Sequence, residues 1–192
     1  MTLSNNLFRI ILSISFIFIS FSLIAEPTLE EVVVSARKVD ESVQDVPIAM
    51  SVFTSGDIED AGIERPEDFI ALTPNVVMAN TVNVGDTLVT IRGLTSTRDA
   101  ESNFAFVVDG VLQTNPNAFN RELLDIAQIE VLKGPQGALY GRNATSGAIL
   151  ITTKAPSEES ESTGVIGMGV NNSSKVQFVN SSMIGDNTYT RF

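Results

Sequence analysis

The sequence predicts an α+β domain with a mixed β-sheet and short helices, followed by a shorter region built from strands alone. Up to residue 154, runs of β-branched and aromatic residues alternate with short stretches that begin at helix-capping residues. Beyond the serine- and glutamate-rich residues 157–162, the helical signals stop and apolar runs recur around a polar stretch at residues 171–174. These observations predict two structural regions in one chain.

Composition excludes several classes of function. The 192 residues include no cysteine and no histidine, so a disulfide, a thiolate metal site and a histidine-activated nucleophile cannot form within this chain. The formal net charge of −11 argues against nucleic acid as a partner. We therefore expect no catalytic residue, no metal site and no cofactor.

Residues 1–25 are typical of a secretory signal peptide. Arg9 is the only charged side chain among them, an apolar run interrupted only by serines covers residues 10–24, and Ala25 supplies a small residue for cleavage. A membrane anchor is the alternative, but the run is shorter than the roughly 20 residues that a spanning helix needs. The sequence therefore predicts export and removal of residues 1–25.

Local signals place two short helices between the strands. Residues 54–57, Thr-Ser-Gly-Asp, offer caps for a helix at residues 58–61, which Gly62 ends. A second helix begins near Pro66, because proline is favoured in the first helical turn, and Pro74 ends it. Strands are expected at residues 48–53, 75–78 and 87–92, and a further helical turn at residues 121–126.

Asp109 and Gly110 predict a β-hairpin. The flanking residues 104–108 and 111–114 are rich in strand formers, and a two-residue Asp-Gly loop favours a type I′ turn. Such a turn requires positive φ at both central residues. We therefore expect positive φ at Asp109 and at Gly110.

Residues 129–154 predict a strand, a glycine-rich loop and a second strand. The loop glycines permit positive φ and close backbone approach; they are Gly134, Gly137, Gly141 and Gly147. A phosphate-binding loop is the alternative, but neither nucleotide-binding spacing is present and the residues after the loop favour a strand over a helix. Nucleotide binding is therefore rejected.

Three motifs follow one another along the chain. They are Ile-Arg-Gly at residues 91–93, Phe-Val-Val-Asp-Gly-Val at 106–111, and Ile-Glu-Val-Leu-Lys-Gly-Pro at 129–135, which continues into Leu-Tyr-Gly-Arg-Asn-Ala-Thr-Ser-Gly-Ala-Ile at 139–149. Together they resemble the plug-domain signature of TonB-dependent outer-membrane receptors, over residues 29–156. The resemblance implies a TonB box and linker at 26–40, a plug domain at 41–156, a linker at 157–163, and the first strands of an incomplete transmembrane β-barrel at 164–192. A terminal hairpin is the alternative for the last region.

The resemblance implies energy-coupled uptake of a scarce ligand through the outer membrane. A ferric siderophore is the expected ligand, with vitamin B12 or glycans as alternatives. The energy would come from TonB in the periplasm, which pulls on a short N-terminal box. An extended, proline-free run can add to the sheet edge of such a partner; the residues assigned here are Glu31, Val32, Val33, Val34, Ser35 and Ala36.

Charged residues of the plug motifs are expected to dock the plug against the barrel. Arg92 and Lys133 match basic positions that in this family pair with glutamates of the inner barrel wall, and Glu130 lies beside them in sequence. An internal pair of Arg92 with Glu130 is the alternative, because a buried charge needs a partner.

Plug loops that face outward supply the ligand contacts of the family. The corresponding loops are residues 95–103 and 113–120, and the candidates within them are Arg98, Asn115 and Phe119. Ordinary loop roles are the alternative for each. The expected location of the protein is the outer membrane. For the chain as a whole, the alternative is a free-standing periplasmic binding or adaptor module that does not transport.

Overall fold

The computed structural model describes residues 31–80, 87–96, 101–169, 173–185 and 188–192. The predicted signal peptide at residues 1–25 lies outside the described residues, and so does Arg98. Within the described ranges, no helix is long and apolar enough to cross a membrane.

Short elements follow one another along the described residues. The first half contains β1 (Val33–Val34), β2 (Glu41–Ser42), β3 (Met50–Thr54), α1 (Ser55–Asp60), α2 (Pro66–Ala71), β4 (Val76–Asn80), β5 (Thr87–Ile91) and β6 (Leu94–Thr95). The second half contains β7 (Phe104–Val108), β8 (Val111–Gln113), a 3₁₀ turn (Pro116–Ala118), β9 (Ile126–Lys133), α3 (Gly137–Tyr140), β10 (Gly147–Thr153), β11 (Glu161–Met168), β12 (Ser174–Gly185) and β13 (Thr188–Arg191).

The largest sheet has the strand order β3-β9-β10-β7-β8. β10 runs parallel to β7, whereas β9 is antiparallel to both β10 and β3. The predicted mixed sheet is therefore confirmed. Smaller sheets join β1 with β2, β4 with β5 and β6, and β11 with β12 and β13.

β9 divides the apolar side chains between the two faces of the large sheet. Side chains alternate along a strand, so Ile129 and Val131 point to one face and Glu130 and Leu132 to the other. The first face packs against α1, α2 and the β4–β6 sheet, with Phe69 at its centre. The second face is covered by apolar residues of the N-terminal chain between residues 32 and 50.

The two predicted helices form close to their expected positions. Thr54 caps α1: its hydroxyl accepts from the main-chain N–H of Asp57, and the Asp57 carboxylate accepts from the N–H of Thr54. Pro66 occupies the first turn of α2. Each start signal therefore works as an ordinary local cap.

The Asp-Gly hairpin is confirmed. φ is 46° at Asp109 and 78° at Gly110, as a type I′ turn requires. The turn joins β7 to β8, and the Asp109 carboxylate accepts hydrogen bonds from the main-chain N–H and the hydroxyl of Thr153. This contact ties the hairpin to the end of β10.

Two local predictions are wrong. Residues 121–126 do not form a helical turn, because the N–H of Leu123 donates to the carbonyl of Glu64 and Asp125 adopts a φ of 54°. The glycine-rich loop also contains the short helix α3, which the glycine content conceals. At Gly147, a Cβ would lie 2.2 Å from the carbonyl oxygen of Leu132, so only glycine fits there.

β11, β12 and β13 form an antiparallel sheet in the region predicted to contain strands alone. The pairing of Glu161 with Ser181 starts β11 inside the predicted linker, which is therefore shorter than residues 157–163. Ile166 and Val176 face each other on an exposed side of this sheet, whereas Lys175 lies on the opposite side and is half-buried.

Candidate functional site

The N-terminal segment (residues 32–36) lies on the second face of the large sheet; Val33–Val34 form β1, and the chain turns at Ala36. Val34 and Ala36 are buried in that core, whereas the Val33 side chain is 49% exposed. On one edge of the segment, the carbonyl of Val32 accepts from the N–H of Val43 at 3.0 Å. Strand conformation thus covers only Val33–Val34 of the predicted segment, and the segment is packed against the domain.

Glu130, on β9 of the large sheet, contacts the N-terminal segment. Its Oε1 accepts from the main-chain N–H of Ser35 at 3.1 Å, from the Ser35 hydroxyl at 3.3 Å and from Nε2 of Gln128 at 3.2 Å. The side chain is only 2% exposed, and Oε2 has no hydrogen-bond partner among the described residues. Burial raises the pKa of Glu130, although the hydrogen bonds from Ser35 and Gln128 oppose that shift.

Two further side chains hold the segment. Nε2 of Gln128 donates to the carbonyl of Val33 at 3.0 Å, and the Tyr140 hydroxyl donates to the carbonyl of Ala36 at 2.9 Å. Burial, helped by the negative charge of Glu130, raises the pKa of Tyr140 to about 12, so the hydroxyl stays protonated as a donor. The Lys38 ammonium lies 5.6 Å from the centre of the Tyr140 ring.

Arg92 and Lys133 form a basic pair on the other side of the sheet. Nζ of Lys133 donates to the Ser51 hydroxyl at 3.1 Å. Burial, and to a lesser degree the nearby charge of Arg92, lower the pKa of Lys133. A Cβ on Gly134 would lie 3.0 Å from Nη1 of Arg92, so this glycine leaves room for the guanidinium.

No carboxylate neutralises the basic pair within the described part of the chain. None of the ion pairs there includes Arg92 or Lys133. The alternative pairing of Arg92 with Glu130 is not formed, because Glu130 accepts from Ser35 and Gln128 instead. Residues 130 and 133 are an odd number apart on β9 and point to opposite faces, which corrects the grouping of Glu130 with the two docking cations.

The candidate ligand residues occupy different environments. Oδ1 of the exposed Asn115 accepts from the N–H of Asn117 at 3.0 Å and caps the 3₁₀ turn. Phe119 is 3% exposed, and its ring packs edge-on against Phe104 and Phe106. Phe119 is thus a core residue rather than an exposed ligand contact, because its ring is buried against two other phenylalanine rings.

A charged seam, which the sequence motifs do not mark, joins the large domain to the β11–β13 sheet. Arg191 binds both carboxylate oxygens of Asp125, with 2.7 Å between Nη2 and Oδ1. Nζ of Lys175 lies 2.6 Å from Glu122 and 3.2 Å from Glu64. Lys175 lowers the pKa of Glu122, chiefly through their hydrogen bond. The acids come from the domain and the bases from the terminal strands.

Comparison with known proteins finds matches over most of the chain. The family described as "TonB-dependent Receptor Plug Domain" matches residues 42–148. The pesticin receptor of Yersinia enterocolitica is 30% identical over 132 residues, which cover 68% of this chain and 19% of the relative. The vitamin B12 transporter BtuB of Vibrio vulnificus is 27% identical over 171 residues, 86% of this chain and 27% of that protein.

Solved receptor structures share the fold. The ferric yersiniabactin uptake receptor FyuA from Yersinia pestis has 29% identity and a TM-score of 0.66, over 74% of this chain and 23% of its own. The ferripyoverdine receptor of Pseudomonas aeruginosa has a TM-score of 0.71 over 83% of this chain and 21% of its own, but its 19% identity shows the fold alone. This chain thus spans about a fifth of the receptors that it matches.

The mixed sheet and the glycine-rich loop agree with the fold of a plug domain. The matched plug region covers more than half of the chain, from residue 42 to residue 148. The chain belongs to the family of TonB-dependent receptor plug domains.

Proposed function

We propose that this chain serves in a TonB-dependent outer-membrane receptor that takes up a ferric siderophore or a similarly scarce ligand. The match of residues 42–148 to the plug family carries the proposal, because it covers the whole central sheet except the part of β10 beyond residue 148. The N-terminal segment precedes the matched residues. A plug closes the channel of such a receptor, so its role is gating and docking. No catalytic step is assigned to it.

The basic pair supports docking against a barrel wall. The charge of Arg92 helps to lower the pKa of Lys133, and no described carboxylate forms an ion pair with either residue. Two close cations favour an acidic partner, and glutamates on the inner wall of a barrel would supply it. Lys133 would bind less specifically than an arginine, since an ammonium cannot form the bidentate contact of a guanidinium.

The terminal strands support a position in the outer membrane. Ile166, Val176 and Phe178 are 78%, 78% and 67% exposed and lie on one face of the β11–β13 sheet, whereas Lys175 and Arg191 lie on the face toward the domain. Apolar residues toward lipid and polar residues toward the lumen are the alternation of a transmembrane barrel. The charged seam would then fix the plug to the first barrel strands.

The N-terminal segment supports coupling to TonB. The segment proposed to bind TonB comprises Glu31, Val32, Val33, Val34, Ser35 and Ala36. It lacks proline, and Val33–Val34 within it form a strand, the conformation that strand addition to a partner requires. Force applied there would act first on β9, because Gln128 and Glu130 both hold the segment.

The relatives favour an iron-carrying ligand. Among the matched proteins are a ferric yersiniabactin uptake receptor and the catecholate siderophore receptor Fiu of Escherichia coli. A vitamin B12 transporter is also among them, so cobalamin is the second candidate. Asn115 and Arg98 are proposed to contact the ligand from outward-facing loops.

Uptake measurements test this function. Disruption of the gene that encodes this chain should abolish TonB-dependent uptake of an ⁵⁵Fe-labelled siderophore by iron-starved cells, with labelled vitamin B12 as the parallel substrate. Unchanged uptake of both, together with recovery of the protein in the soluble periplasmic fraction, would favour the free-standing binding module instead.

A further inference from the structure

Two side chains, rather than a strand, occupy one edge of the N-terminal segment. In an extended chain, alternate residues direct their main-chain groups to opposite edges. Val32 faces β2 through the bond from Val43. On the other edge, the carbonyl of Val33 accepts from Gln128 and the N–H of Ser35 donates to Glu130. We call this second edge the β9-facing edge.

Gln128 and Glu130 satisfy that edge in the way a neighbouring strand would. They are two residues apart on β9 and therefore share one face of the sheet. The amide supplies a donor at 3.0 Å and the carboxylate supplies an acceptor at 3.1 Å, which match the acceptor and donor of residues 33 and 35. Nε2 of Gln128 also donates to Glu130 at 3.2 Å and so links the two side chains.

We propose that a partner strand adds to the segment at the β9-facing edge, in direct competition with Gln128 and Glu130. This inference rests on the proposed function of the segment in binding TonB. The β2 edge is already paired, with Val33 opposite Ser42 and Val34 opposite Glu41, and opening it would break a main-chain ladder. At the β9-facing edge, a strand needs to replace only two hydrogen bonds of the main chain, and the Ser35 hydroxyl also loses its bond to Glu130.

The competition sets the affinity of the partner. If the partner binds only the released segment, the apparent affinity is the intrinsic affinity multiplied by the fraction of molecules in which the segment is released. Glu130 makes the stronger of the two contacts, because a hydrogen bond to a charged group exceeds one between neutral groups. Release of the segment also returns the buried carboxylate to water, which offsets part of the lost hydrogen bonding.

Release has a second structural effect. A groove of about 600 Å³ separates the chain after the segment from the sheet, with Ser35, Lys38 and Asp40 on one wall and Val107 and Leu150 on the other. Because Ser35 is one of the residues that line this groove, its movement away from Glu130 would widen the groove. Partner binding and exposure of the second face are coupled events in this arrangement.

Cysteine labelling tests release without any partner. The chain has no cysteine, so Val34→Cys places a single thiol at a site that is 1% exposed. Glu130→Leu has a similar side-chain volume and removes the acceptor of both Ser35 hydrogen bonds. We expect maleimide labelling to be faster by roughly tenfold or more, since the loss of one charged hydrogen bond already accounts for about tenfold. Glu130→Gln keeps a neutral acceptor oxygen, so its labelling rate should lie between those of the parent and the Leu variant. Equal labelling rates for the Leu variant and its parent would overturn the inference.

Calorimetry with a purified C-terminal fragment of TonB tests the competition. Glu130→Leu in the exported chain should bind the fragment about tenfold more tightly. Glu59→Gln is the matched control, because it removes a carboxylate that pairs with Lys154 on the surface, and its affinity should equal that of the parent. Equal affinities for the parent and the Leu variant would overturn the inference.

Two further outcomes separate the inference from the proposed function. If labelling accelerates but no form binds TonB, the assignment of the segment as the TonB-binding element fails, and the competition fails with it. If circular dichroism shows that Glu130→Leu does not fold, Gln128→Leu tests the same edge at a half-exposed position. It should increase labelling and affinity about threefold, as the loss of one neutral hydrogen bond implies, and no change in either would overturn the inference.

Discussion

Arg191 of β13 and Asp125, at the residue before β9, are joined by two hydrogen bonds between guanidinium and carboxylate. The two residues are 66 positions apart in sequence, and the Arg191 side chain is only 11% exposed. Asp125 adopts a φ of 54°, and its carbonyl accepts from the N–H of Lys154 at 2.8 Å. The pair therefore fixes the terminal strands to the same point at which β9 enters the central sheet.

Arg191→Gln should loosen the terminal sheet while the plug remains folded. The bidentate contact is lost, and we expect the free energy of opening of β12 and β13 to fall by about 1–2 kcal/mol. Hydrogen exchange measured by mass spectrometry should show faster exchange in residues 174–191 and unchanged protection in β9 and β10. Glu59→Gln, which breaks an exposed surface pair, is the control. Unchanged exchange in β13 would show that strand pairing alone holds the sheet.

Gly110→Val should destabilise the plug. φ at Gly110 is 78°, and a β-branched residue resists positive φ. We expect the free energy of unfolding to fall by more than roughly 1 kcal/mol in a urea titration. Gly56→Ala is the control, because Gly56 lies inside α1 without positive φ and alanine there should be neutral or stabilising. A loss of the same size in both variants would contradict a specific effect of the turn.

Gly147→Ala should separate β10 from β9. The added Cβ would lie 2.2 Å from the carbonyl oxygen of Leu132 and 3.3 Å from Cδ1 of Ile91, so the strands must move apart. Overpacking of this kind costs about 1–3 kcal/mol of stability. Gly137→Ala in α3 is the control, because a Cβ added there would meet nothing within 4 Å and φ is not positive. Equal midpoints of urea unfolding for the Gly147→Ala variant and the parent would contradict the close approach.

Features that depend on neighbouring residues could be predicted from the sequence. Thr54 and Asp57 are three residues apart, and Asp109 and Gly110 are adjacent, so each pair carries its own conformational signal. The strands of the plug follow from similarly local motifs. The family resemblance extends these signals to the fold, which the receptor structures confirm.

Features that depend on distant residues could not be predicted. Ser35 and Glu130 are 95 positions apart, and no pattern around either residue marks their contact. The expected helix at residues 121–126 fails for the same reason, since the N–H of Leu123 donates to distant Glu64. Phe119 lies in a polar stretch of the sequence, but in the structure its ring packs edge-on against Phe104 and Phe106 in the core.

Glu130 should make the stability of the plug fall as pH rises. Burial raises its pKa above the ordinary value of 4.5, so the folded state holds this proton more tightly than the unfolded state. The favourable contribution is complete below pH 4.5 and is lost as pH increases through the folded pKa. Glu122 and Asp57 have lowered pKa values and act in the opposite direction, gaining stability above their ordinary range.

The difference between Glu130→Gln and the parent isolates the contribution of this residue. Urea unfolding measured from about pH 4 to about pH 8 should show the variant gaining stability relative to the parent as pH rises, because an amide has no charge to bury. A constant difference across that range would mean that Glu130 titrates alike in the folded and unfolded states.

Val33→Pro should abolish binding of TonB while the plug stays folded. Proline removes the main-chain N–H of residue 33 and fixes its φ, so an extended segment can no longer complete a ladder with a partner strand. The Val33 side chain is 49% exposed, and Val33→Ala, which keeps the main-chain donor, should bind with nearly the parent affinity. Calorimetry with the TonB C-terminal fragment measures both variants, and circular dichroism confirms that each is folded. Unchanged affinity of the proline variant would remove residues 31–36 as the TonB-binding segment, whereas loss of binding by the alanine variant as well would show that side-chain contacts, not the main chain, provide the affinity.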